Sequence, residues 1–158
     1  LQIDPALYGQ KIPYPVDKDE IDTELALSMA VEQGVSEVLI LGGIGGRIDH
    51  QMALLFLPFQ YPMLTFIHSN GEQTLYHLRE NSAYQIPTTA GSLISVVALT
   101  ALEGLTLLHV KWPLHDYSLP LGRGLTYSNR ALGESIAIEI KSGSAWLFTA
   151  MPDIDDSL

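Results

Sequence analysis

Asp19 and Asp22 lie three positions apart in the run Asp17-Lys18-Asp19-Glu20-Ile21-Asp22. At helical spacing they share one side of an opening turn. Paired carboxylates suit a divalent cation: Mg²⁺ takes oxygen ligands, keeps several waters, and needs only one or two protein carboxylates where a polyphosphate supplies the rest. The same acids also cap helices and oppose the positive end of the helix dipole. Spacing alone leaves both readings open. A second stretch is Gly42-Gly43-Ile44-Gly45-Gly46-Arg47-Ile48-Asp49-His50. Its glycines let backbone amides approach a phosphate, Arg47 can pair with phosphate oxygens, and Asp49 can hold a metal or its water. It is neither a Walker loop nor the dinucleotide fingerprint. A tight turn carrying a surface Arg47 to Asp49 pair is the plainer alternative.

The third stretch joins Lys111-Trp112-Pro113-Leu114 to Gly122-Arg123-Gly124-Leu125-Thr126-Tyr127-Ser128-Asn129. Trp112 and Tyr127 can stack on a flat heterocycle that Ser128 and Asn129 orient, although aromatic strand residues more often belong to a core. His50, His68, His77, His109 and His115 show no zinc spacing, and there is no cysteine to complete a set. Most of them are expected to be partly buried strand residues. No Gly-x-Ser-x-Gly elbow anchors a serine hydrolase.

These residues need elements to position them. Glu20 to Gln33 is rich in helix formers, carries Ile21, Leu25 and Met29 four apart, and stops at Gly34. It reads as a helix with Asp19 as its N-cap. Val38 to Leu41 has the apolar continuity of a buried strand, and His50 to Phe59 reads as a helix stopped near Pro58. Helix, strand, glycine loop and helix together indicate α/β layering with a parallel sheet. After Pro62 the pattern changes to short strands. Leu64 to His68 and Thr74 to Leu78 flank an Asn70-Gly71 turn. Ser92 to Leu99, Thr106 to Lys111, Ser135 to Ile140 and Ala145 to Thr149 follow, with Lys141 to Ser144 expected to close the last two into a hairpin. The expected fold is thus an incomplete Rossmann-like α/β part over 1–65, followed by an antiparallel all-β sandwich over 66–158. Residues 1–16, with three prolines, read as an extended approach, and the acidic tail at Asp153, Asp155 and Asp156 as loose.

Composition narrows the function. Among 158 residues, 18 acidic against 8 basic leave a formal charge of -10, which argues against nucleic acid or an anionic membrane as partner. Apolar residues make up 47% and charged ones 16%, enough for a buried core. The longest apolar stretch, Leu93 to Leu102, falls short of the ~20 residues that span a bilayer. No signal peptide is readable, and a soluble, cytoplasmic protein is expected.

Taken in order, these blocks resemble thiamine pyrophosphokinase, the family that moves pyrophosphate from ATP to the alcohol of thiamine and releases AMP. Lys18 to Asp22 is similar to its Lys-Asp-x-Thr-Asp motif, and Gly45 to His50 to its Gly-Gly-Arg-x-Asp-His motif. Ser92 to Ile94, Lys111 to Leu114, and Ser128 with Asn129 follow as its later blocks. The resemblance implies a catalytic α/β domain, a thiamine-binding sandwich, Mg²⁺, ATP, and a homodimer with thiamine between the catalytic domain of one subunit and the sandwich of the other. It implies catalytic roles for Asp22, Arg47 and Asp49, with Asp22 and Asp49 holding Mg²⁺. Lys18, Asp19, Gly45, Gly46 and His50 would support the nucleotide, and Ser128 and Asn129 would face thiamine.

Two departures stand out. Ile21 replaces the family's threonine, and the upstream Asp-Gly-Gly strand end and Gly-Asp-x-Asp-Ser metal loop, about a third of a family chain, are absent. Because Leu1 is no ordinary start, the chain is expected to be a piece of an enzyme, itself inactive; the alternative is a thiamine-binding module that has lost ATP turnover. The strands over 92–99 and 106–110 are nearly apolar on both faces. Either the helical half of the same chain or a partner subunit must cover the second face, and the resemblance favours the partner.

Overall fold

A computed structural model describes residues 21–43 and 45–152. Helix α1 spans Asp22–Glu32 and α2 spans Ile48–Gln60; the strands are β1 Glu37–Leu41, β2 Thr65–Ser69, β3 Gln73–Leu78, β4 Ser82–Pro87, β5 Leu93–Ala98, β6 Leu102–Leu108, β7 Leu114–Leu119, β8 Asn129–Arg130, β9 Ser135–Ile140 and β10 Ala145–Ala150. They form a mixed six-stranded sheet A, ordered β1-β2-β3-β10-β5-β8, and an antiparallel four-stranded sheet B, ordered β4-β9-β6-β7. Among the described residues only β1 and β2 pair in parallel, with α2 as their crossover; the other pairings are antiparallel. Sheet A runs without a break from β2 into β3, so the parallel and antiparallel regimes share one hydrogen-bonded layer. No helix of the described residues is long and apolar enough to cross a membrane.

Strand alternation sorts side chains to the two faces of sheet A. Ile94, Val96, Ala145 and Leu147 face sheet B and close one core with Leu105, Leu107, Ile136 and Ile138. Trp146, Phe66 and Leu64 face the helices and close a second core with Leu27, Leu57 and Tyr61. Val97 and Leu99 pack against this second core. The far face of β5 is therefore covered there by the helical half of the same chain, and the apolar sequence of this strand needs no partner subunit at that point. On β6, Glu103 faces solvent while Leu102, Leu105 and Leu107 are buried.

Four local expectations are corrected. Helix α1 begins two residues later than a cap at Asp19 requires: Ile21 is the N-cap, and the Glu24 carboxylate accepts its N–H at 3.0 Å. Isoleucine has no side-chain acceptor, so half of a capping box remains. Asp19, Lys18 and the residues before them lie outside the described residues, as does the tail from Asp153. Helix α2 continues through Pro58 to Gln60 and closes with Tyr61 N–H on the Leu57 carbonyl at 2.9 Å; proline is tolerated because only one hydrogen bond near the helix end is lost. Lys141 to Ser144 is not a hairpin, since β9 lies in sheet B and β10 in sheet A. The turn carries the chain between layers. Finally, His50 lies on α2 and is exposed, as are His109 and His115, whereas His68 and His77 are buried on strands.

Candidate active site

The glycine loop leaves β1 with Gly42 N–H on the Ser69 carbonyl at 2.9 Å. Gly42, Gly45 and Gly46 adopt positive φ of 73°, 113° and 80°, backbone that L side chains rarely enter. Gly43 is required for space instead: a Cβ there would meet Leu54 Cδ1 at 2.9 Å. The loop is thereby pressed onto α2. Arg47 is the N-cap of α2 and Asp49 stands in its first turn.

Arg47 and Asp49 form a two-point fork. Nε donates to Asp49 Oδ1 at 3.1 Å, and Nη2 donates to Oδ2 at 2.6 Å. Both side chains are exposed. The fork holds the Asp49 carboxyl down at about 2, and Arg47 is pushed up by the same hydrogen bonds and charge. The remaining donors of the guanidinium stay available on a positively polarised helix start, an arrangement suited to phosphate oxygens.

Asp22 opens α1 and is exposed. Helix α1 is 11 residues, about 16 Å long, and β1, 5 residues, extends about as far. Gly45, Gly46, Arg47, Asp49 and His50 come together on the glycine loop and the first turn of α2. Helix α1 is tied to the far end of α2, where Tyr61 Oη–H donates to the Glu24 carbonyl at 3.1 Å.

Ser128 and Asn129 reach the glycine-loop end of sheet A at its other edge. Asn129 pairs with Ile94 near the start of β5. Counted across the sheet, β8 stands four to five strands from β2 and β1, on the order of 20 Å at the usual strand spacing. One chain does not place the two groups against a single small molecule. Ser128 holds a positive φ of 61°, with its N–H on Ser95 Oγ at 3.0 Å. Asn129 is buried; Oδ1 accepts from Trp112 N–H at 3.1 Å and Nδ2 donates to the Trp112 carbonyl at 2.8 Å. Trp112 itself is 55% exposed, with Lys111 Nζ 4.7 Å from its ring centroid. Tyr127 and Leu125 are exposed beside this segment. Sequence reasoning missed Ser95 as the support of Ser128. Its signal was a hydroxyl interrupting the apolar run Leu93 to Ala98.

Among the described residues, no three histidine, aspartate or glutamate side chains converge as a metal cluster. Asp22 and Asp49 are exposed carboxylates, the kind of oxygen donor that Mg²⁺ takes beside polyphosphate and water; two carboxylates do not make an all-protein cage.

Two family models match the chain in sequence order. "Thiamin pyrophosphokinase, catalytic domain" covers residues 8–67, and "Thiamin pyrophosphokinase, vitamin B1 binding domain" covers residues 82–146. The chain belongs to the thiamin pyrophosphokinase family. Solved structures agree in fold. Thiamine pyrophosphokinase from Bacillus subtilis aligns at 22% identity and a TM-score of 0.77, covering 86% of this chain and 66% of that one. A thiamin pyrophosphokinase family protein from Enterococcus faecalis aligns at 27% identity and a TM-score of 0.76, with 90% and 68% covered. The Candida albicans enzyme aligns at 16% identity and 0.60, covering 84% and 53%. This chain thus spans about two thirds of the length of the bacterial structures. No curated protein sequence matches it.

Proposed function

We propose that these residues serve a magnesium-dependent transfer of pyrophosphate from ATP to thiamine. The thiamine hydroxyl oxygen bonds to the β-phosphorus, the bond from that phosphorus to the α–β bridging oxygen breaks, AMP departs, and the hydroxyl proton passes to solvent. The Arg47 to Asp49 fork on the glycine loop, in a family member, carries this reading. Such transfers depend on positioning and charge neutralisation more than on covalent chemistry. Arg47 binds phosphate oxygens, the glycine-loop amides approach them, and Asp22 and Asp49 hold Mg²⁺ directly or through water. That ion, when bound, neutralises phosphate charge. Ser128 and the Trp112 ring held by Asn129 form the thiamine side. The roughly 20 Å across sheet A supports a homodimer with each site shared between subunits.

AMP formation by the natural full-length protein in the presence of thiamine, ATP and Mg²⁺ tests the reading directly, with each of the three omitted in turn. AMP from that protein no greater than in the thiamine-free control overturns it. A second reading, thiamine binding without turnover, draws on Ile21 at the α1 start, where no hydroxyl faces the phosphates. Calorimetric thiamine binding without Mg²⁺-dependent ATP binding would select it.

A further inference from the structure

Sheet A has a second end, away from the glycine loop. There the C-terminal end of α2, the end of β3, and the turns joining β5 to β6 and β9 to β10 enclose an open cleft of about 750 Å³. That volume lies within the range of small-molecule sites. Strand β3 is 6 residues long, so roughly 20 Å of sheet separates the two ends.

The cleft is chemically two-sided. Pro58, Phe59 and Pro62 line one part, and the Phe59 ring is half exposed. His77, Arg79, Ser142 and Ser144 line another. His77 is 5% exposed; its Nε2 shares a hydrogen bond with Ser144 Oγ at 2.9 Å, while Nδ1 has no partner among the described residues. The Arg79 side chain makes no hydrogen bond or ion pair within the described residues. An unpaired guanidinium beside an open aromatic ring is conspicuous in a chain with 18 acidic and 8 basic residues. Glu80 also lines the cleft and is exposed, which disfavours a second anionic group on a ligand.

The turn at the base is preformed. Ser144 N–H donates to Thr100 Oγ1 at 2.9 Å, and the Ser144 carbonyl accepts from Leu99 and Thr100 N–H at 2.8 and 3.2 Å. Gly143 sits at φ 101°, where a Cβ would collide with the Ala101 carbonyl. A site whose polar groups are held in advance costs less ordering on binding.

We propose that this cleft binds a small aromatic molecule with one anionic group, its ring against Phe59 and Pro62 and its carboxylate or phosphomonoester oxygens on Arg79. Guanidinium recognises both anions through paired N–H donors. The site is separate from the glycine loop and does not depend on pyrophosphate transfer.

Titration calorimetry of the 158-residue chain with phenylacetate and with phenyl phosphate, in separate arms, tests it. Tryptophan emission locates the event: with Trp112→Phe, Trp146 is the single remaining tryptophan, 5.3 Å from the His77 ring between centroids. At least one probe is expected to bind saturably and change Trp146 emission. Which one binds distinguishes carboxylate from phosphomonoester. Arg79→Gln, and removal of the anion by using benzyl alcohol, should each weaken binding at least about tenfold. Ala101→Phe, which fills the cleft from an exposed position, should do the same, whereas Arg47→Gln should leave binding unchanged. Absence of binding by both probes overturns the proposal. So does affinity that survives both Arg79→Gln and Ala101→Phe in folded protein, or that is lost with Arg47→Gln instead.

Discussion

Asn129 is 5% exposed, and its side chain is committed to backbone: Oδ1 also accepts the Arg130 N–H at 2.9 Å, beside the two bonds to Trp112. Two of these bonds go to Trp112, so in the proposed site Asn129 serves to position that ring. Asn129→Ala strips partners from the Trp112 N–H and carbonyl in a partly buried place, which is expected to cost about 1–3 kcal/mol. Urea unfolding measures this, and Trp112 emission, isolated by Trp146→Phe, should shift in the folded variant. Stability equal to the parent would remove the clamp. The Ser-Asn dipeptide was legible in sequence as a candidate site, but the direction of the amide was not. That direction follows from pairing between β8 and β5 and from the nearby 112 segment, 17 residues away in sequence. Arg47 and Asp49 were legible as a pair because a single residue separates them at a helix start, where local geometry alone brings them together. In the natural full-length protein, Arg47→Ala should lower the proposed AMP-forming activity about a hundredfold or more in kcat/KM, as loss of a charged phosphate donor does. An unchanged kcat/KM in a folded variant would place the phosphates elsewhere.

At the scale of elements, Trp146 on β10 joins sheet A to α2. Its Nε1–H donates to the Leu55 carbonyl at 3.0 Å, and His68 and His77 flank it at ring-centroid distances of 5.0 and 5.3 Å. Burial lowers both histidines to about 4, with Arg79 and His68 adding repulsion at His77. An unfolded histidine titrates near 6.5. Between pH 6.5 and 4 the unfolded chain therefore binds more protons than the folded one, so stability falls as pH falls through that window and is flat with respect to these groups above it. Each contributes a limiting slope of about 1.4 kcal/mol per pH unit. His68→Phe and His77→Gln should each remove about one proton from the slope measured by urea titration between pH 5 and 6.5. A slope unchanged in both variants would mean that neither ring is buried neutral. The helices, β1 and the Asn70-Gly71 turn were legible because their signals are local. The layer change at Lys141 to Ser144 was not: a short polar turn between two alternating strands looks alike whether the strands pair or part. Strand β4, Ser82–Pro87, and β7, Leu114–Leu119, lacked apolar continuity because both form edges of sheet B.

For the whole molecule, the decisive quantity is the separation along sheet A. The glycine-loop residues and the Trp112 segment occupy the same end but opposite sides of a six-stranded layer, on the order of 20 Å apart. A molecule of thiamine's size cannot touch both within one chain. Val97 and Leu99 offer no argument for a partner, since the chain's own second core covers them. This distance and the exposed Trp112, Leu125 and Tyr127 support a partner instead. If two subunits complete each proposed site, Arg47→Ala and Trp112→Ala, each made in the natural full-length protein, disable different halves of it. Each homodimer alone should be inactive. Mixed at equal amounts, unfolded and refolded together, half the dimers are heterodimers, and each has one site with both residues intact and one with neither. The mixture should then recover about a quarter of the parental AMP-forming activity per subunit. Sizing chromatography with differently tagged chains establishes that heterodimers formed. Recovery absent despite heterodimers would mean that each site lies within one chain, and would separate Trp112 from Arg47 function altogether.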